Sequence, residues 1–162
     1  MRGLLALLVL GFASTTAAAG DPLFDAIAAG NKASVEQALA NGEAVDSRAP
    51  DQATPLMSAA LDDQTAIAQL LLSKGADVMA RNSGGFTPLM VAGEENHVEV
   101  AEFLIATGAD VNHPEGHGFL PITRAFWKGN ADIIKLYRRH GATCQAKILG
   151  EAGYTKCMEI HD

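Results

Sequence analysis

The chain has 162 residues and a mass of 16.9 kDa, which is room for one domain and too little for a conventional multidomain enzyme. Its 12 Lys and Arg against 19 Asp and Glu give a formal charge of −7. This charge argues against nucleic acid and anionic membranes as partners, because their phosphates would repel the protein. Aromatic residues make up 6% of the chain, with one Trp, so each exposed ring is informative about binding.

Residues 1–19 have the pattern of a secretory signal peptide. Arg2 precedes an apolar run from Leu4 to Phe12, and Ala17 and Ala19 supply small residues before a cut. The alternative is a transmembrane anchor, but the run is well short of the ~20 residues that span a bilayer. We therefore expect a mature chain that begins near Gly20 and does not insert into a membrane. Without Arg2 it has 11 basic and 19 acidic residues, a charge of −8.

A repeat with a period of 33 residues follows. Two residue types mark the register: Pro22, Pro55, Pro88 and Pro121, and then Gly42, Gly75, Gly108 and Gly141. Residues 21–144 therefore divide into four copies of one supersecondary unit, at about 21–48, 49–81, 82–114 and 115–144. Residues 145–162 remain as a C-terminal cap, so the domain covers residues 20–162.

Each unit predicts two short helices. The first begins at Thr54-Pro55 or Thr87-Pro88, where Thr can cap the helix and Pro has no amide hydrogen to leave unpaired. Residue types that tolerate the left-handed conformation recur where this helix stops: Gly30, Asp63, Asn96 and Gly129. The second helix ends at Gly75 or Gly108. One helix pair cannot bury its own apolar face, so the units must stack.

Three recurring motifs resemble those of the ankyrin repeat family. They are Thr87-Pro88-Leu89, Asn96-His97-Val98-Glu99-Val100 and Gly108-Ala109-Asp110-Val111-Asn112, with relatives in the other units. The resemblance implies an all-α solenoid of four helix-turn-helix repeats, with short hairpin-like loops and a C-terminal cap. It also assigns a structural role to His97. The family's usual His after Thr-Pro-Leu is replaced by Met57, Met90 and Thr123, which should weaken hydrogen bonding at the helix starts without threatening the fold.

The two cysteines are Cys144 and Cys157. In an exported chain they suggest one disulfide that pins the C-terminal tail to the last repeat. Two free thiols are the alternative. A redox-active pair is disfavoured because the chain has no Cys-x-x-Cys motif.

No catalytic constellation is apparent. His113 and His117 could be drawn as two metal ligands with the acid Glu115 between them, but their loop contains Pro and Gly and no third ligand is evident. A small metal-dependent hydrolase is therefore a disfavoured alternative. We predict no catalytic residue, no cofactor and no metal.

The resemblance implies a protein-binding surface on the loop tips and the exposed side of the first helices. Carried over by register, that surface contains Phe86 and Phe119 on the loops and Leu61, Glu94 and Trp127 at the helix ends. Acidic neighbours and a loop-tip histidine complete the predicted binding residues: Asp62, Glu95 and His117. Aromatic anchors with a charged rim are typical of protein interfaces. The alternative is that the Phe rings fold back onto their own loops.

These features predict an exported module that is monomeric alone and binds one protein with a basic surface patch. The short Ala-rich leader and small mature size favour the bacterial periplasm, with secretion as the alternative. Similar small exported ankyrin proteins include immunity proteins that neutralise envelope-targeted toxins or cell-wall hydrolases, which is the function we favour. Others support periplasmic catalase in peroxide defence, which is the alternative.

Overall fold

The computed structural model describes residues 20–160, and the predicted signal peptide lies outside them. This part of the chain is all-helical, with nine α-helices and no strand. Four helix pairs follow one another: α1 (Pro22–Ala28) and α2 (Lys32–Ala40); α3 (Pro55–Leu61) and α4 (Thr65–Ser73); α5 (Pro88–Glu94) and α6 (Val98–Ala106); α7 (Pro121–Lys128) and α8 (Ala131–Arg139). A last helix, α9 (Ala146–Glu159), closes the stack. The predicted solenoid is confirmed.

The helix starts follow the predicted capping pattern in the middle repeats. Thr54 Oγ1 accepts the backbone N–H of Met57 at 3.3 Å, and Thr87 Oγ1 accepts that of Met90 at 3.4 Å. Each cap satisfies one of the amides that a helix start leaves unpaired. The Met residues that replace the family's His are buried, at 2% and 1% exposure, so they extend the core.

The start of α7 is capped from another part of the chain. Leu120 has no capping side chain, but Gln145 Oε1 accepts the Leu120 N–H at 2.9 Å and the Thr123 hydroxyl at 2.7 Å. Gln145 stands just before α9. The last repeat is therefore joined to its cap at the point where the sequence predicts a weakened helix start.

The ends of the first helices also follow the prediction. The four residues at this position all have left-handed backbone conformations: Gly30 (φ 63°), Asp63 (φ 54°), Asn96 (φ 63°) and Gly129 (φ 78°). This conformation turns the chain back, so that the second helix of each repeat packs against the first.

Buried apolar residues recur at the 33-residue spacing and form a seam that runs through the stack. The first helices contribute one set of residues with 0% exposure: Leu23, Leu56, Leu89 and Ile122. The second helices contribute another set, with at most 3% exposure: Ile67, Leu71, Val100, Leu104, Ile133 and Tyr137. Burying one such side chain stabilises the fold by about 1.5–3 kcal/mol, and the core is formed by contacts between repeats as well as within each helix pair.

Hydrogen bonds repeat along the stack with the same period. The side chain that precedes α4, α6 or α8 donates to carbonyls near the end of the previous repeat's first helix. The bonds are Gln64 Nε2 to Ile27 O (2.7 Å), His97 Nε2 to Leu61 O (2.9 Å), and Asn130 Nδ2 to Gly93 O and Glu94 O (2.8 Å each). They fix neighbouring repeats in one register, and His97 has the structural role that the resemblance implies.

A disulfide joins Cys144 to Cys157, with Cα atoms 6.3 Å apart. The predicted pairing is present and Cys157 is buried. Within the segment predicted as the cap, helical structure runs to Glu159 and is broken at Gly150 (φ 68°). Arg138 adds hydrogen bonds from its Nη1 to the carbonyls of Cys157 (3.4 Å) and Ile160 (3.0 Å).

At two positions the residue differs from its counterpart one repeat earlier, and the two differences compensate each other in volume. Tyr137 occupies the position held by Leu104 one repeat earlier, and Gly93 occupies that of Ala60. Tyr137 is fully buried and its hydroxyl donates to Leu89 O at 2.7 Å. A Cβ on residue 93 would lie 2.2 Å from that hydroxyl oxygen. The larger ring of one repeat is therefore accommodated by the missing methyl group of the previous one.

This contact predicts a non-additive effect on stability. Gly93→Ala should destabilise the protein by about 1–2 kcal/mol, because overpacking outweighs the gain of about 1 kcal/mol that Ala brings to a helix. Tyr137→Phe should cost about 1 kcal/mol through its lost hydrogen bond. The double variant should be more stable than the sum of the two effects predicts, since the clashing oxygen is gone. Urea unfolding of the three variants measures this, and strictly additive effects would contradict it.

Candidate partner-binding surface

The first helices form one layer and the second helices form another. In the first layer α1 contacts α3, α3 contacts α5 and α5 contacts α7, and the second helices meet in the same order. Fully buried alanines at the helix contacts allow close approach: Ala59, Ala60, Ala92 and Ala125. We call the exposed side of α3, α5 and α7, with the loop residues just before them, the inner face.

An aromatic cluster lies at the C-terminal end of the inner face. The Phe119 and Trp127 rings meet edge to face, with centroids 4.8 Å apart, a preferred geometry for aromatic pairs. The His117 ring stacks beside Phe119 at 6.3 Å. Trp127 remains 50% exposed. Three of the predicted binding residues are therefore brought together, and Phe119 packs on the following helix as well as on its own loop.

Phe86 packs under an arginine that sequence reasoning missed. The Arg124 guanidinium lies 4.5 Å from the centre of the Phe86 ring, and Arg124 Nε lies 2.8 Å from Glu94 Oε1. The Nε–H does not point at that oxygen, so the contact is an ion pair without a well-formed hydrogen bond. Arg124 therefore joins α7 to α5 through a ring and a carboxylate at once.

The Arg124 contact changes the role of Glu94. Its side chain is only 19% exposed, and its charge is largely compensated, so it contributes less to steering a partner than the sequence indicates. Glu95 and Asp62, the other predicted acidic residues, are exposed. The repeat alignment could have drawn attention to Arg124, because the same position holds the uncharged residues Ser58 and Val91 in the two preceding repeats.

A groove of about 280 Å³ lies between α3 and α5. Its apolar lining consists of Ala53, Met57, Leu61, Phe86 and Val91, and its polar lining of Asp51, Ser58, Asn82, Glu94 and Glu95. Leu61 is 50% exposed. A second groove of about 240 Å³ continues past Glu94 to Arg124, Trp127 and Lys128. Of the eight predicted binding residues, five line these two grooves, Phe119 and His117 join the aromatic cluster, and Asp62 lies at the end of α3.

Glu115 is buried, at 3% exposure, and holds the loop that carries Phe119. Its Oε1 accepts the backbone N–H of His117 at 3.0 Å and of Phe119 at 3.3 Å, and its Oε2 contacts His117 Nδ1 at 3.2 Å. Burial raises the pKa of Glu115, but the hydrogen bonds from His117 and Phe119 outweigh it and hold the pKa below its ordinary value of 4.5.

The metal-site alternative has no support in this loop. Within residues 20–160, no group of three or more His, Cys, Asp or Glu side chains is placed to hold a metal ion. Glu115 is occupied by the hydrogen bonds of its own loop, and His113 Nε2 is enclosed without a hydrogen-bond partner in the described part of the chain.

The stacked helix pairs and their periodic hydrogen bonds define a repeat solenoid. A family model that describes three copies of the ankyrin repeat matches residues 23–115 and 81–148. Together the two matches extend from the first repeat into the cap, so the chain belongs to the ankyrin repeat family. No curated protein matches it. Across residues 20–160, no helix is both long and apolar enough to cross a membrane.

The Glu115 contacts predict a pH dependence of stability. A folded-state pKa below 4.5 means that ionised Glu115 stabilises the fold above this pH, and that the contribution is lost as the pH falls through the lowered pKa. Glu115→Gln should therefore lower the free energy of unfolding by about 1–2 kcal/mol at neutral pH. The difference from wild type should shrink below about pH 4.

Urea unfolding at several pH values measures the difference. Glu95→Gln, which removes an exposed carboxylate on the adjacent repeat, is the matched control for the loss of one carboxylate and should change the free energy of unfolding little. A Glu115→Gln difference that stays constant down to about pH 3 would show that the ionised carboxylate does not stabilise the loop.

Proposed function

We propose that this protein is an exported inhibitor of the immunity type, which binds and neutralises a toxin or cell-wall hydrolase in the bacterial cell envelope. Ankyrin repeats are protein-interaction modules and are typically not enzymes. An inhibitor needs a rigid complementary surface and no catalytic residue. The observation that carries the proposal is the inner face, where the half-exposed Trp127 packs edge to face on the partly buried Phe119, beside grooves with an acidic rim.

The aromatic pair has the character of an interface anchor. Large rings at the centre of an interface supply most of its binding energy, and a polar rim excludes water around them. Trp127 keeps half of its surface exposed although it packs on Phe119. A partner that covered this pair would bury the remaining apolar surface without rearranging the helices.

The charge of the protein supports a basic partner. The expected mature chain has a charge of −8, and Asp51, Asp62 and Glu95 are exposed at or near the grooves. Such a surface attracts a positively charged protein and accelerates encounter at low salt.

Two separate features support an oxidising location outside the cytoplasm. Residues 1–19 have the signal-peptide pattern, and the cap is joined to the last repeat by the Cys144–Cys157 disulfide. Structural disulfides persist in exported proteins and are rare in the cytosol. We propose the periplasm as the location.

Truncation of the aromatic pair should break the complex. Phe119→Ala and Trp127→Ala should each weaken binding at least about tenfold, because loss of an interface anchor costs about 2 kcal/mol or more. Glu95→Gln should mainly slow association at low salt. The partner is captured on the mature chain from periplasmic extract and purified. Its hydrolytic or toxic activity and its affinity are then measured with each variant.

Replacements at Asn41 and Lys74 are the controls, because both residues lie at the ends of second helices, away from the inner face. They should leave affinity and inhibition unchanged. A captured protein whose activity is not inhibited would contradict the immunity function. A catalase as the captured protein would favour peroxide defence instead. A complex that tolerated both aromatic truncations would show that recognition lies elsewhere, for example on the loop around His117.

A further inference from the structure

We propose that the groove between α3 and α5 is a pocket for one arginine side chain that projects from the partner protein. This inference rests on the proposed function in so far as the arginine belongs to that partner. It adds the chemical identity of the group that the groove recognises.

The size of the groove fits one side chain. At about 280 Å³ it is close to the lower end of the range of about 300–1,000 Å³ that is usual for sites of small ligands and cofactors, and it has room for one long side chain. Its lining residues lie on α3 and α5, at their C-terminal ends and in the loops before them. A residue on a protruding loop can therefore enter it from the surface that carries the aromatic pair.

The lining matches an arginine along its length. Met57, Leu61 and Val91 form an apolar surface on which the methylene groups of an arginine can pack. Long charged side chains commonly bury their methylene groups in this way and keep the charged group in polar surroundings. Two carboxylates also line the groove: Asp51 in the loop before α3, and Glu95 at the end of α5. Phe86 also lines the groove, with the Arg124 guanidinium already over one face of its ring.

The protein already contains one example of this recognition. Arg124 stacks on Phe86 at 4.5 Å and pairs with Glu94 at 2.8 Å. Both of these partners also line the groove. The ring and carboxylate that border the groove therefore accept a guanidinium within the folded chain.

The remaining charge of the groove is not compensated. Glu94 is paired with Arg124, whereas within residues 20–160 no ion pair engages Asp51 or Glu95. Asp51 uses one carboxylate oxygen to accept the Ala53 N–H at 3.1 Å. An incoming cation could therefore pair with a carboxylate that has no ion-pair partner at either position, which favours arginine over a neutral side chain of the same shape.

The test is a titration that does not need the partner. The complete mature chain, labelled with ¹⁵N, is titrated with a capped Gly-Arg-Gly peptide and followed by NMR. Shifts should be concentrated in groove residues such as Ala53, Asn82 and Glu95. The same peptide with citrulline, which keeps the shape and lacks the charge, should bind at least about threefold more weakly, and so should the lysine peptide.

Matched variants locate the binding. Asp51→Asn with Glu95→Gln should weaken the arginine peptide at least about threefold. Glu36→Gln with Glu102→Gln makes the same change in charge on exposed residues of second helices and should have little effect. Equal binding of citrulline, equal binding of lysine, shifts outside the groove, or equal effects of the two double variants would each overturn the arginine pocket.

Failure of this inference and failure of the proposed function are distinguishable. Phe119 does not line the groove, so Phe119→Ala should bind the arginine peptide like wild type while it loses the protein partner. If the peptide did not bind but the aromatic truncations still broke the complex, the arginine pocket alone would be wrong.

Discussion

The structure depends on one constraint: a single helix pair cannot bury its own apolar face. Leu56, Leu89 and Ile122 are fully buried because a neighbouring repeat lies against each pair. The stack therefore holds together through contacts between repeats, and these contacts require a constant register. Gln64, His97 and Asn130 maintain that register by reaching back to the previous repeat. The inner face follows from it, because residues 33 positions apart are placed side by side along one surface.

A stack has two ends, and the chain closes them differently. At the N-terminal end α2 exposes polar residues such as Lys32, Glu36 and Gln37, as a terminal repeat must. At the C-terminal end α9, the disulfide and the Gln145 side chain secure the last repeat. The extra bonds coincide with the repeat that carries Phe119 and Trp127. We infer that they keep the aromatic pair in place, since α7 has no capping residue of its own.

The fold could be predicted from the sequence because its rules are local and repeated. Thr-Pro at a helix start and Gly or Asn at a helix end fix short elements by capping and backbone conformation, and four copies of one pattern exclude chance. The extent of α9 could not be predicted in this way. Its sequence is not repeated elsewhere in the chain, so there is no second copy to compare it with. A glycine such as Gly150 is also typical of a helix end.

The binding surface was only partly accessible to sequence reasoning. Register alone places Phe119 and Trp127 on the same surface, and the structure brings their rings into contact. The pairing of Arg124 with Glu94 depends on where a long, flexible side chain goes, and a 33-residue alignment does not fix this. The fit between Tyr137 and Gly93 required the distance between two repeats. Both features are contacts between neighbouring repeats. The sequence pattern predicts where a residue lies in its repeat, but it does not predict which side chain of the next repeat it contacts.

The central claim is that the inner face is the surface that binds the partner. Hydrogen–deuterium exchange of the mature protein, with and without its captured partner, tests this claim most directly. We predict protection in α3, α5 and α7 and in the loop residues just before them, with no change in α2, α4, α6 and α8. Protection confined to the second helices, or to the exposed side of α9, would contradict the account.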